Sequence, residues 1–310
     1  MRVAVTGAAG FIGRNLIPAL KEAGHDVIAI GREAVGLKPL AETGVSCEAT
    51  DYSVEGLGRL LNGVDTVIHL AGRRSERSDA PLSFEAFTHP NISLLDNLLQ
   101  AGSASGVGRL IFASTIAVYS PENTLPYRED ERVFGLNPYG LSKVTGEGLL
   151  DLWARSGKMR TISLRLAAGF GHGERSSAVL MRFIDQATRG EPLIVRGNRN
   201  IGVDQLYIRD TVGAFMAALD SNASQGSFNI GAGRAYTLGE MATAVDAAFG
   251  GGAGVIFEDR PEAGAPAPYM NIEAAAAGLG WRPKWPLRTA LADFHDTWRT
   301  TVTPNERGSR

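Results

Sequence analysis

The chain has 310 residues, 44% of them apolar and 21% charged, which is enough to build one large core or two smaller ones. Its formal net charge of −2 argues against nucleic acid or an anionic membrane as a partner. One cysteine excludes a disulfide framework within the chain, and no run of 18 apolar residues is present to span a bilayer.

The remaining global features favour a cytoplasmic protein without a metal centre. The opening residues already form a strand pattern, which leaves no room for a signal peptide. The five histidines are scattered, without ligand-like spacing to one another or to Cys47.

Short β-branched runs alternate with longer helical patterns in the first half of the chain. Strands are predicted at residues 2–7, 26–31, 65–72, 109–115 and 160–167, and helices at about 11–23, 91–102 and 138–155. This alternation predicts an α/β fold with a doubly wound parallel sheet, right-handed crossovers and helices on both faces.

Beyond about residue 168 the rhythm loosens. Loops become longer, two helical patterns remain near residues 176–189 and 210–220, and a Gly/Ala-rich tail follows. We therefore predict a larger domain over residues 1–167 and a smaller one over residues 168–310, with later segments free to return to the first.

A glycine-rich segment, VTGAAGFIG, joins the first strand to the first helix. Gly7, Gly10 and Gly13 permit a tight turn, close approach of a ligand and tight helix packing. Backbone N–H groups at the helix start, around Phe11 and Ile12, favour an anion. The G-x-x-G-x-x-G spacing differs from the usual G-x-G-x-x-G, but its position favours a dinucleotide over a purely steric role.

The segment NPYGLSK places Tyr139 and Lys143 four positions apart on a predicted helix, hence on the same face. With seven tyrosines and five lysines, such a pair is expected by chance about 0.1 times, so a surface contact stays an alternative. A phenol with a pKa near 10 is a poor base, and a nearby ammonium favours the phenolate. The pair alone does not establish this chemistry, but together with further motifs it would provide an acid/base tyrosine.

Ordered motifs make the chain resemble the extended short-chain dehydrogenase/reductase family of NAD(P)-dependent nucleotide-sugar epimerases, dehydratases and reductases. The motifs are TGAAGFIG, HLAG (69–72), FASTIAVY (112–119), YGLSK (139–143) and, near the C-terminus, LGWRPKWPL (279–287). The resemblance runs nearly end to end. It implies a dinucleotide-binding Rossmann domain over residues 1–167, a substrate-binding domain over residues 168–310, and a homodimer formed through the helix that carries the Tyr–Lys pair.

The resemblance also implies roles for individual residues. Thr115, with Ser114 as a substitute, would hydrogen-bond the reacting oxygen beside Tyr139, and Lys143 would hold the nicotinamide ribose. The cofactor contacts that it implies outside the glycine loop are Asp51, Tyr52, Leu70, Ala71, Gly72, Tyr139 and Lys143. A turn-forming aspartate is the alternative for Asp51.

Two pairs of neighbouring residues bear on the choice of cofactor and on the reaction. Gly31 ends the second strand where NAD-preferring members carry an acid, and Arg32 follows it. An arginine can pair with a 2′-phosphate, which favours NADP over NAD, although a solvated or adenine-stacking arginine is the alternative. Ile116 and Ala117 stand where sugar dehydratases carry Asp-Glu, so dehydration is not expected. Reduction, oxidation and epimerisation stay open.

The substrate domain departs from the family pattern. Ala168 replaces an asparagine and Val203 replaces an arginine, whereas Arg260 matches the family's later phosphate-binding arginine. Arg196 and Arg260, with Thr115, are our predicted substrate contacts. Other arginines that could compensate are Arg175, Arg199 and those of the RRSERS run (73–78), a run that is otherwise a solvated loop.

We therefore predict an NAD(P)-dependent oxidoreductase or epimerase that acts on a carbohydrate hydroxyl or carbonyl of a nucleotide sugar. Because Ala168 and Val203 replace polar residues of the family, one alternative is a dehydrogenase of a free sugar, a sugar acid or another small hydroxy compound. A non-catalytic dinucleotide sensor is an alternative of another class.

Overall fold

The computed structural model describes residues 1–75, 83–135, 137–174, 178–223, 225–250, 253–258 and 267–301. The strands are β1 (Arg2–Thr6), β2 (Asp26–Gly31), β3 (Ser46–Ala49), β4 (Thr66–His69), β5 (Arg109–Thr115), β6 (Arg160–Leu166), β7 (Ala168–Phe170), β8 (Leu193–Arg196), β9 (Gly202–Val203), β10 (Gln205–Tyr207), β11 (Gln225–Ile230), β12 (Tyr236–Thr237) and β13 (Val255–Glu258).

The helices alternate with these strands. They are α1 (Phe11–Glu22), α2 (Ala34–Ala41), α3 (Val54–Leu60), α4 (Glu85–Phe87), α5 (Leu94–Ala104), α6 (Pro138–Arg155), α7 (Val179–Thr188), α8 (Ile208–Asp220), α9 (Leu238–Phe249), α10 (Glu273–Leu279) and α11 (Leu287–Thr301). A π-helical segment, Thr88–Ser93, precedes α5, and a 3₁₀ turn, Ile116–Val118, follows β5. No helix within the described ranges is both long and apolar enough to cross a membrane.

Seven strands form one sheet in the order β11-β6-β5-β4-β1-β2-β3, and every neighbouring pair is parallel. The predicted doubly wound α/β fold is confirmed. The chain moves outward from β1 through β2 to β3, then crosses back to β4 on the other side of β1. Such a switch point opens a crevice at the carboxyl ends of the strands, which is where ligands bind in these folds.

The central strand β5 shows why the sequence forms this sheet. All seven of its side chains are buried, because β4 and β6 flank it and helices cover both faces. Phe112 and Leu110 belong to a core cluster with the apolar side of α5, including Leu95 and Leu98. The strand is apolar from Leu110 to Ala113 for that reason, and its last residue, Thr115, reaches the carboxyl edge of the sheet.

Some elements of the sheet and its helices were not given by the sequence pattern. The edge strand β3 has no predicted counterpart, because three of its four side chains are exposed and carry little periodicity. The helix predicted from residue 91 starts with the π-helical segment, and α5 begins only at Leu94. From the second half of the chain, β11 returns to the sheet beside β6.

By its contacts the chain divides into two compact units. The first contains Met1–Leu166, Thr211–Ile230 and Asn271–Arg282, and therefore the whole seven-stranded sheet. The second contains the described residues of Ala167–Asp210, Gly231–Met270 and Pro283–Arg310. It holds three two-stranded pairs, of which β10–β7 and β13–β8 are parallel and β12–β9 is antiparallel.

Candidate active site

Helix α6 starts directly against the end of β5. Pro138 occupies its first turn, and the Asn137 side chain caps it by accepting the Gly140 N–H at 2.8 Å. A Cβ at Gly140 would lie only 2.2 Å from the carbonyl oxygen of Ala117. Glycine therefore allows the helix start to touch the 3₁₀ turn, and this contact brings the first turn of α6 to the residue that ends β5.

Tyr139 meets Thr115 at this junction, where the Thr115 side chain lowers the pKa of the Tyr139 phenol. Thr115 is buried, and its Oγ1 also accepts the Ala117 N–H at 3.2 Å, so the hydroxyl is held in place. Ser114 faces the other way and donates to Glu147 Oε1 at 2.5 Å. Successive side chains of a strand point to opposite faces. The structure thus brings Thr115, and not Ser114, to the tyrosine.

The phenol of Tyr139 lies in an environment with opposing effects. Burial raises its pKa, whereas the hydrogen bond from Thr115 and the charge of Arg74 lower it. The ring of Phe87 contacts that of Tyr139 at a centroid distance of 6.2 Å. Arg74 is an addition to the predicted site. The sequence offered it only as a member of the RRSERS run, without a link to the tyrosine.

Lys143 is buried one turn further along α6. Its Nζ donates to the Ala113 carbonyl at 2.9 Å and lies 4.5 Å from the centre of the Phe112 ring. Burial lowers its pKa to about 8, and the carboxylate of Glu147 opposes that shift. The ammonium is therefore charged at neutral pH and titrates slightly above it.

The glycine loop and the end of β4 touch each other beside this lysine. Gly7 has a φ of +71°, and a Cβ there would lie 2.6 Å from the Ala71 nitrogen. A Cβ at Gly72 would lie 3.5 Å from Lys143 Nζ. The predicted motifs TGAAGFIG, HLAG and YGLSK thus form one continuous surface. Leu70 N donates to Thr6 O at 3.1 Å and keeps the HLAG segment in register with β1.

The start of α1 has the features of an anion site. Gly10 caps the helix without a side-chain hydrogen bond, and the first turn carries no acidic residue. Phe11 and Ile12 are partly exposed there. A Cβ at Gly13 would lie 2.5 Å from the Ala8 carbonyl oxygen, so only glycine allows this loop to fold back on α1. These residues fit the pyrophosphate of a dinucleotide.

Asn91 secures the segment after HLAG and was not found from the sequence. Its Oδ1 accepts the Arg73 N–H at 2.7 Å, and its Nδ2 donates to the Arg73 carbonyl at 3.0 Å and to Ser142 Oγ at 2.8 Å. Asn91 is buried within the π-helical segment, a type of distortion often found at functional sites. It therefore links the Arg73–Arg74 segment to α6.

Arg32, Asp51 and Tyr52 lie at the other end of the glycine loop. Burial raises the pKa of the Tyr52 phenol, whereas the Gly7 backbone, the Thr6 side chain and the charge of exposed Arg32 lower it. Asp51 Oδ1 accepts the Ser53 N–H at 2.9 Å, which forms a turn. The adenine contacts predicted for Asp51 and Tyr52 stay predictions.

The predicted substrate arginines belong to the second unit or lie outside the described residues. Arg196 pairs with Glu258 at 3.0 Å, and the guanidinium of Arg199 lies 4.0 Å from the centre of the Phe257 ring. Arg175, Arg260 and residues 76–78 of the RRSERS run lie outside the described residues. Their substrate contacts stay predictions.

Comparison with known proteins identifies relatives of this chain. A sequence model of the NAD dependent epimerase/dehydratase family matches residues 3–231. The dTDP-4-dehydro-6-deoxyglucose reductase of Escherichia coli is 28% identical over 91% of this chain and 92% of its own. A Bacillus subtilis protein named uncharacterized UDP-glucose epimerase YtcB is 30% identical over 94% of this chain and 96% of its own.

Among solved structures, the UDP-glucuronic acid 4-epimerase of Bacillus cereus, in complex with UDP-glucuronic acid and NAD, superposes with a TM-score of 0.84. It is 25% identical, and the match covers 97% of this chain and 100% of that one.

Proposed function

Because the chain belongs to the NAD dependent epimerase/dehydratase family, we propose that it moves hydride between a nicotinamide dinucleotide and a carbohydrate carbon, with Tyr139 as acid and base. The observation that carries the proposal is the meeting of Tyr139 and Thr115 at the carboxyl end of β5, where the Thr115 side chain lowers the pKa of the phenol. Lys143 lies one turn away on the same helix. A hydroxyl group placed at this junction would meet both a proton acceptor and a second polar group that fixes its orientation.

The chain's own residues supply the binding and the proton transfer. Gly7, Gly10 and Gly13 would admit the pyrophosphate at the start of α1, and Lys143 would hold the nicotinamide ribose. Hydride acceptance and return is the chemistry that a bound nicotinamide supplies. Tyr139 in its phenolate form would take the proton of the substrate hydroxyl and, in the reverse direction, give it back to the carbonyl oxygen.

A nucleotide sugar is the proposed substrate. The relatives named above act, by their names, on UDP- or dTDP-linked sugars. Ala168 and Val203 lack side chains that could bind a diphosphate, and this favours a free sugar or sugar acid as the second candidate. A screen of UDP- and dTDP-hexoses against free aldoses and uronic acids, with interconversion and cofactor reduction both followed, decides between the two classes.

The choice of cofactor depends on Arg32. Its position after β2, with Gly31 in place of an acid, supports NADP, whereas the NAD in the solved Bacillus cereus relative supports NAD. If Arg32 pairs with a 2′-phosphate, Arg32→Ala weakens NADP binding far more than NAD binding. Isothermal titration with both cofactors measures this, and equal losses would remove Arg32 from cofactor selection. NADP preference would in turn support a reductase.

A homodimer through α6 is part of the proposal. Leu141 and Leu152 are 42% and 66% exposed on this helix, and 11 residues correspond to about three turns, so both lie on one face. An apolar face of this kind supports association of two copies. Leu152→Glu should convert a dimer to a monomer in light scattering after size exclusion. An unchanged mass for that variant would place any dimer contact elsewhere.

Tyr139→Phe tests the proposed chemistry itself. The variant loses the hydroxyl but keeps the ring that packs on Phe87, so cofactor binding should be intact and turnover abolished. Native mass spectrometry of the purified protein shows whether NAD or NADP is retained, and product analysis shows turnover. A variant that still turns over would take Tyr139 out of the mechanism. A wild-type protein that binds the dinucleotide but converts no carbohydrate would support the non-catalytic sensor.

A further inference from the structure

A buried ion pair lies behind the Tyr139–Lys143 pair on the same helix. Glu147 follows Lys143 by four residues on α6 and pairs with Arg165 of β6, the two side chains being 8% and 6% exposed. Arg165 donates from Nη2 to Glu147 Oε2 at 2.7 Å and from Nε to Oε1 at 3.1 Å. The geometry is therefore bidentate and charge-assisted.

Neutral groups hold this pair from three further elements. Ser114 of β5 donates to the Glu147 carboxylate, and Arg165 Nη1 donates to the Tyr119 hydroxyl at 2.8 Å. The Tyr119 hydroxyl donates to Asn229 Oδ1 at 2.6 Å. Since both carboxylate oxygens are already bound, Glu147 acts on Lys143 through its charge and not through a hydrogen bond.

Among the residues that the structure describes, few other charges surround Lys143. From β4, His69 faces it as a neutral ring, because burial and the lysine charge lower the His69 pKa to about 3. From β5 it meets the Phe112 ring and the Ala113 carbonyl, and the segment after β4 approaches at Gly72.

The other described groups around Lys143 are either neutral or face Tyr139. The π-helical segment presents the neutral amide of Asn91, which a Cβ at Gly72 would meet at 3.0 Å. The charge of Arg74 acts on Tyr139. On α6 itself, Glu147 is the acid whose charge acts on Lys143.

We propose that Glu147 is a positioning residue of this site: anchored by Arg165, its carboxylate keeps the buried ammonium of Lys143 charged. The proposal rests on the proposed function only in assigning Lys143 a part in catalysis. Without the carboxylate, burial acts unopposed, and the lysine loses its proton at a lower pH. Lys143 would then be neutral in part of the range where it is needed as a cation.

A purely structural role predicts a different result. An ion pair that only joins α6 to β6 would lower stability when broken and leave the titration of Lys143 unchanged. Tyr119→Phe is the matched control, since it removes two hydrogen bonds of the same network without changing any charge. We expect that variant to be less stable and its Lys143 titration to be that of the wild type.

The decisive measurement is an NMR pH titration of the cofactor-free protein labelled at lysine. The chain contains five lysines, and the signal missing in Lys143→Met assigns the site. In the wild type, the Lys143 pKa lies at about 8. In Glu147→Gln we expect it to fall by about one pH unit. An unchanged titration in that variant overturns the proposal.

Glu147→Gln leaves Arg165 as a buried unpaired charge, which can prevent folding. The double variant Glu147→Gln/Arg165→Gln removes both charges and keeps the test available. Since Glu147 is the group of this pair whose charge acts on Lys143, the double variant should show the same downward shift. A wild-type titration in a folded double variant also overturns the proposal.

Activity adds a separate readout. In Glu147→Gln, the alkaline limb of kcat/KM should move downward by the same amount as the NMR titration, and in Tyr119→Phe it should stay in place. Turnover by Tyr139→Phe would refute the proposed function and leave the NMR result standing. An unshifted lysine in Glu147→Gln would refute the positioning role and leave the tyrosine result standing.

Discussion

Removing the Thr115 hydroxyl should slow hydride transfer strongly, whereas removing that of its neighbour Ser114 should not. The Thr115 side chain lowers the pKa of the Tyr139 phenol and is itself fixed by the Ala117 N–H. A hydrogen bond to a charged group contributes about 1.5–3 kcal/mol. If that bond is made to the phenolate, Thr115→Val should reduce kcat by roughly 10- to 160-fold, since each 1.36 kcal/mol is a factor of ten.

Single-turnover hydride transfer, followed by nicotinamide absorbance, measures this loss without interference from product release. Thr115→Ser keeps the hydroxyl and should stay within a few-fold of the wild type. Ser114→Ala removes a hydroxyl that faces Glu147 and should have little effect on the rate. A Thr115→Val variant within two-fold of the wild type, or an equal loss in Ser114→Ala, would show that the threonine does not assist the tyrosine.

Three further predictions concern the tyrosine, the glycine loop and the second unit. Arg74→Met should raise the pKa of Tyr139. A pH titration of phenolate absorbance measures this pKa, and the signal that is missing in Tyr139→Phe assigns it to Tyr139. An unchanged pKa would show that Arg74 does not act on the phenol. Gly13→Ala should weaken dinucleotide binding at least about tenfold in calorimetry, because its Cβ would lie 2.5 Å from a backbone oxygen. Gly58→Ala is the control, because its Cβ would have no atom within 4 Å, and it should leave dinucleotide binding unchanged. Burial raises the pKa of Asp204 from 3.8 to about 7, so its stabilising effect is complete below pH 4 and is lost as the pH rises through 7. Between pH 5.5 and 8 the unfolding free energy of the wild type should therefore fall by about 2 kcal/mol relative to Asp204→Asn, and equal urea profiles would contradict this.

Local patterns were sufficient for the elements that carry the site. Strands β2 and β5 and helix α6 have the predicted bounds, because an uninterrupted apolar run and an Asn-Pro helix start are encoded within a few neighbouring residues. The doubly wound sheet followed from the alternation of such segments. The predictions about the tyrosine, the lysine and the glycine loop likewise came from motifs that span only a few neighbouring residues.

Partners distant along the chain could not be obtained in this way. Asn91 clamps Arg73 across 18 residues, and Glu147 pairs with Arg165 across 18 residues, although neither pair has a local signature. The return of β11 to the sheet also depends on packing, since its partner β6 lies far back along the chain.

The sequence by itself determined that a tyrosine, a lysine and a hydroxyl residue would be available near a glycine-rich turn. Only the tertiary structure decided that Thr115 meets the tyrosine while Ser114 binds Glu147, and that Arg74 is the cation acting on the phenol. The physical reason is that residue type and spacing fix which groups share a face of one element. The register between elements and the burial of their charges fix which of those groups meet and in which protonation state.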